Sequence, residues 1–166
     1  MSRSKSTVHA MRVVGIAVKL ETEGRPTARG VLLEDNGSGP VIVDKFALPG
    51  DDVDFARQLF ELSQATSSRL SALEPDRVAV CRADFPPAGS RKDGPKLRLL
   101  AEGAITAAAY EVVPNTYLGT GHDIGTWDGG GKDAVKAKAK ALVQADGLPL
   151  KWVEATFAAL GALVHS

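Results

Sequence analysis

Apolar and polar positions divide the opening of the chain into three segments, 12–20, 29–35 and 40–48. Glu23-Gly24-Arg25-Pro26 and Asn36-Gly37-Ser38-Gly39-Pro40 separate them with turn-forming residues, and Pro49-Gly50 closes the third. Their β-branched content predicts three strands joined as an antiparallel meander. Asp51 or Asp52 then offers a helix N-cap. Val53, Ala56, Leu59, Phe60, Leu70 and Leu73 fit a helix running to about residue 73. Glu74-Pro75-Asp76 stops it, and Arg77-Val78-Ala79-Val80-Cys81 reads as a short buried strand, as in a βαβ crossover.

Three prolines and two glycines make 84–95 a loop. Pro95 suits the first turn of a second helix that reaches about Tyr110. Its alanines, Ala101, Ala104, Ala107 and Ala108, would allow close packing against a sheet or a partner. Residues 111–117 read as a fifth strand. Six glycines within 119–131 predict the longest flexible stretch of the domain. A third helix covers about 132–145, Gly147 and Pro149 interrupt the chain, and a last helix covers about 151–164. The order βββαβαβαα predicts an α/β fold, with a mixed five-stranded sheet and helices on both faces.

Length and composition bound this picture. The 166 residues suit one domain, 11–166, behind a polar, basic tail at 1–10 read as flexible. Met11, where the first strand begins, competes with Met1 as the start. At 44% hydrophobic and 24% charged, the chain can build a core and does not read as disordered. Twenty basic residues balance twenty acidic ones, which disfavours a nonspecific DNA coat protein and leaves a local basic patch open. Cys81 is the one cysteine, so neither an intramolecular disulfide nor a CxxC site is available. No apolar run approaches the ~20 residues of a membrane-spanning helix, and no signal-peptide hydrophobic region opens the chain. The expected location is the cytoplasm, with no membrane partner.

Candidate chemistry is concentrated in the second half. Trp127-Asp128-Gly129-Gly130-Gly131-Lys132 invites comparison with a phosphate-binding P-loop, but Thr126 and Asp133 stand where that motif needs glycine and Ser or Thr. Glycines before a helix can still present N–H groups to a phosphate, with Lys132 assisting. Lys132, Lys136 and Lys140 fall along one side of the third helix, with Lys138 elsewhere; a solvated stripe and a phosphate contact both fit. Arg91, Lys92, Lys96 and Arg98 form a second basic cluster. Cys81 with His122 and Asp123 is weak as a nucleophilic set, and a small residue in a buried strand is the better reading. Trp127 and Tyr117 could stack on a base or anchor the loop to the core.

Four local patterns resemble RuvC-type Holliday-junction resolvases, which have the RNase H-like fold. They are Val14-Gly15-Ile16, Pro75-Asp76-Arg77-Val78-Ala79-Val80, Gly129-Gly130-Gly131-Lys132-Asp133-Ala134-Val135, and Glu154-Ala155 in an Ala-rich final helix. Together with the element order, the resemblance spans about 11–164. It implies an acid on the first strand, one after the fourth, and a pair on the last helix, holding two metals for phosphodiester cleavage. The corresponding positions here are Ala17, Cys81, Lys151 and Glu154, of which Glu154 alone is an acid. The resemblance also implies a homodimer.

The expected function is therefore a catalytically degenerate module for nucleic-acid binding or assembly, without a cofactor. Arg91, Lys92, Lys132 and Lys136 are its candidate contacts to DNA or RNA, branched forms included. Two alternatives stand beside it. One is an active nuclease with relocated acids, Asp84, Asp128 and Glu154, holding Mg2+ or Mn2+. The other is a protein-interaction subunit with no nucleic-acid role, which the neutral net charge favours.

Overall fold

The computed structural model describes residues 9–21, 25–50, 54–85, 87–89, 91, 93–127 and 129–165. Met11–Leu20 (β1), Pro26–Asp35 (β2) and Pro40–Pro49 (β3) form the antiparallel meander. Arg77–Cys81 (β4) pairs parallel with the other side of β1, and Thr116–Gly119 (β5) pairs parallel with β4. The mixed five-stranded sheet has the order β3-β2-β1-β4-β5.

Strand side chains alternate between faces, and β1 shows what each face meets. Val14, Ile16 and Val18 join Val78 and Val80 under Phe55–Leu73 (α1) and Gly94–Val112 (α2). Val13 and Ala17 join Ala79 and Cys81 on the opposite face, under Gly121–Thr126 (α3), Lys132–Ala145 (α4) and Val153–Val164 (α5). The sheet is thus covered by helices on both sides, as the element order predicts.

α5 is apolar on nearly every side, which suits a helix enclosed in a core. It packs on β1, β2 and β4 and is roofed by α4. A β-carbon on Gly15 would stand 2.1 Å from the Ala155 carbonyl oxygen and 2.2 Å from the Ala159 nitrogen. Gly15 is therefore what lets the backbone of α5 rest directly on β1. α4, by contrast, buries Val135, Ala139 and Val143 at four-residue intervals and exposes its lysines.

Several expected boundaries move. β2 starts at Pro26, three residues early, because Pro26 can occupy the first position of a strand and lies opposite Leu20. The expected N-caps Asp51 and Asp52 lie outside the described residues; the observed cap is Asp54, which accepts from the Ala56 N–H at 3.2 Å. α2 runs on to Val112, so the fifth strand is the shorter Thr116–Gly119. Val112 and Val113 gave a strand signal, but they pack against the α1–α2 core, and Pro114 ends the helix. The glycine-rich stretch also contains a helix, α3, started by a reciprocal cap between Thr120 and Asp123. The last helix is preceded by a 3-10 turn, Leu150–Trp152. Of the tail, residues 1–8 lie outside the described residues, while the His9 imidazole sits 3.3 Å from the Asp76 carboxylate.

Candidate functional site

Ala17 and Cys81 are register partners near the C-terminal ends of the parallel strands β1 and β4, where α/β sheets place their ligands. A cleft of about 590 Å³ opens at this end. β1 and β2 supply Lys19 and Arg29, the segment after β4 supplies Arg82, and α2 supplies Arg98. α4 adds Lys132 and Lys136, and the turn before α5 adds Lys151. Seven cationic side chains therefore line the cleft, with two carboxylates, Asp84 and Glu154. A chain of zero formal net charge has concentrated positive charge in one concavity.

The lysines of α4 owe their place to close backbone approach. A β-carbon on Gly125 would come within 2.4 Å of Lys132 Cα. With glycine there, the start of α4 lies against α3, and the Lys132 side chain crosses Gly121. Lys136 follows one helical turn later on the same side.

Arg98 is fixed by two acids. Its Nε donates to Glu102 at 2.6 Å and its Nη2 to Glu154 at 2.5 Å. Glu102 is 1% exposed, and its two oxygens accept from the Ala83 N–H at 3.0 and 2.8 Å. Burial pushes the Glu102 carboxyl above its ordinary range, against the pull of Ala83 and Arg98. Burial also opposes the charge on Arg98, yet Glu154 and Glu102 outweigh it, and the guanidinium holds its proton more firmly than usual.

Cys81 is 4% exposed. Burial, the neighbouring Glu154 charge and a hydrogen bond to Glu154 push its thiol up from 9.0 to about 12. A neutral thiol is a poor nucleophile, which agrees with reading Cys81 as a core residue. Between 9.0 and about 12 an unfolded chain loses this proton and the folded one keeps it. Stability is therefore expected to fall as pH rises through that window. Urea midpoints measured against pH check this, because Cys81→Ala should flatten the alkaline limb.

A two-metal centre does not fit these donors. Magnesium and manganese take oxygen ligands. Ala17 offers a methyl group, Cys81 a protonated thiol and Lys151 a positive charge, while Glu154 is engaged by Arg98. Among the described residues, no group of three His, Cys, Asp or Glu side chains is placed to share a metal.

The structure brings Ala17, Cys81, Lys151, Glu154, Lys132, Lys136 and Asp84 into one cleft. Arg91 is exposed in the connection between β4 and α2 and does not line it. Lys92 and Asp128 lie outside the described residues. His122 is exposed and does not line the cleft beside Cys81. Tyr117 is stacked on His165 at 3.7 Å and meets Trp127 edge-on at 6.1 Å, and Trp127 meets His165 edge-on at 4.8 Å, so both rings pack about His165.

Sequence reasoning missed Lys19, Arg29, Arg82, Glu102 and Phe85. Arg98 and Glu102 stand four residues apart in a helix, a spacing that signals an ion pair. Arg29 lies opposite Ala17, which is visible once the strand register is known. Phe85 is 73% exposed, and the Arg82 guanidinium lies over its ring at 4.4 Å.

No protein-family model matches the chain, and no curated protein sequence matches it. Solved structures do. Thermus thermophilus RuvC superposes with a TM-score of 0.63 at 19% identity, over 91% of this chain and 92% of RuvC. T. thermophilus RuvC in complex with a Holliday junction substrate gives 0.68 at 18% identity, over 93% of each chain. The yeast mitochondrial Holliday junction resolvase Ydc2 gives 0.58 at 12% identity, over 92% of this chain and 76% of Ydc2. The sheet order, the helices on both faces and these superpositions identify a RuvC-like RNase H fold.

Proposed function

We propose that this chain is a catalytically degenerate RuvC-like domain that binds nucleic-acid backbone in the cationic cleft without using a metal. The observation that carries this reading is the lining itself, with seven cations and two carboxylates at the C-terminal edge of β1 and β4. Phosphate oxygens are the polyanion that such a lining complements. The fold is shared with a RuvC solved on a Holliday junction substrate, which supports a nucleic-acid ligand over other polyanions. Phe85 adds an exposed ring beside Arg82, suited to stacking on an unpaired base.

Fluorescence anisotropy of labelled four-way junction, single-stranded and duplex DNA in EDTA tests the reading. Binding is expected to weaken steeply as salt rises, with a slope of roughly 0.9 per phosphate contacted on duplex. Phe85→Ala is expected to cost about 1–3 kcal/mol per stacked base on single-stranded or branched DNA and little on plain duplex. Absence of binding to all three DNAs at low salt would sink the reading and favour a protein-interaction subunit.

A further inference from the structure

Arg98 does more than add charge to the cleft. It joins a carboxylate of α2 to a carboxylate of α5 across the end of β4, through Nε to Glu102 and Nη2 to Glu154. Glu102 is enclosed and already accepts from the Ala83 N–H, so it needs a positive charge close by. Two chemistries can supply one. A hydrated divalent ion binds through one or two carboxylates and keeps several waters. A guanidinium presents a fixed fork of donors, stays charged at any relevant pH and cannot dissociate from its own chain. This chain uses the guanidinium, and neither carboxylate engages Nη1.

We propose that Arg98 is a resident cation that fills the place between Glu102 and Glu154 where a hydrated divalent ion would otherwise bind, closing the cleft to metal and leaving Nη1 for a phosphate oxygen. This deepens the proposed function at the same cleft. The metal exclusion, however, is a property of the chain alone and can be measured without nucleic acid.

The test is Mn2+ uptake by the full chain, followed by electron paramagnetic resonance of the free ion. Wild type and Arg98→Lys are expected to leave Mn2+ free. Arg98→Ala is expected to bind it at least roughly tenfold more tightly, a change of about 1.4 kcal/mol, and Arg98→Ala/Glu154→Gln to lose that gain. If Arg98→Ala does not fold in metal-free buffer, Mn2+ should restore its thermal transition, by linkage between binding and folding. Wild-type uptake that disappears in Glu154→Gln would overturn the proposal. So would an Arg98→Ala chain that neither binds Mn2+ nor is rescued by it. A chain that passes this test yet binds no DNA would refute the proposed function and keep the resident cation.

Discussion

Gly15→Ala is expected to destabilise the protein by about 3 kcal/mol, the upper end for overpacking a core. The new methyl group would sit 2.1 Å from the Ala155 carbonyl oxygen and 2.2 Å from the Ala159 nitrogen. Both are helix backbone atoms, so no rotamer change relieves the overlap, and α5 has to lift from β1. Out of a typical stability of 5–15 kcal/mol that is a large share. It corresponds to a fall of roughly 6–12 °C in melting temperature for a chain of this size. Gly103→Ala is the matched control. It lies in α2 with nothing within 4 Å of the added carbon, and should be neutral or stabilising by about 0.5–1 kcal/mol. Thermal melts of the two variants check the contrast. Equal melting temperatures would mean that α5 does not pack on Gly15. Displacing α5 would also move Glu154 and Lys151, so the cleft should suffer with the core.

Reversing Lys132 and Lys136 to glutamate is expected to weaken nucleic-acid binding by on the order of 100-fold, since like charges facing phosphate cost several kcal/mol. The slope of affinity against salt should drop by roughly one for each lost phosphate contact. Both side chains are exposed, so the melting temperature should barely change. Lys140→Glu on the same helix is a useful comparison, because Lys140 does not line the cleft. Anisotropy titrations of the three proteins separate a directed contact from a general charge effect. If Lys140→Glu matched the loss of the double reversal, the cleft would not be the binding surface.

The strands, the long helices and their order were legible because burial imposes periods of two and 3.6 on the chain. α1 and α4 carry the helical period clearly, whereas β1 and β4, buried on both faces, read as unbroken apolar runs between turn residues. The misplaced fifth strand shows the limit. Val112 is β-branched, yet packing on the α1–α2 core keeps it in the last turn of α2, and Val113 is extended but packs in that core ahead of β5. α3 was hidden because glycine counts as a helix breaker. There it serves to bring α4 close, and the Thr120–Asp123 cap was the signal to read. The cleft was half legible. Lys132, Lys136, Lys151 and Glu154 followed from spacing and resemblance. The Glu102–Arg98 pair was readable from its four-residue spacing within α2, but Lys19, Arg29 and Arg82 depend on which strand lies beside which. No local pattern in the sequence encodes that juxtaposition.

Metal exclusion and backbone binding meet in one gel experiment. Labelled four-way junction is incubated with the protein in EDTA, Mg2+ or Mn2+, and each sample is run both native and denaturing. The expected result is a retarded band in EDTA that needs no metal, weakened by salt and not strengthened by Mg2+ or Mn2+, with intact strands on the denaturing gel in all three conditions. Strand cleavage that requires Mg2+ or Mn2+ and is lost in Glu154→Ala would contradict the degenerate-site reading and restore the relocated-acid nuclease.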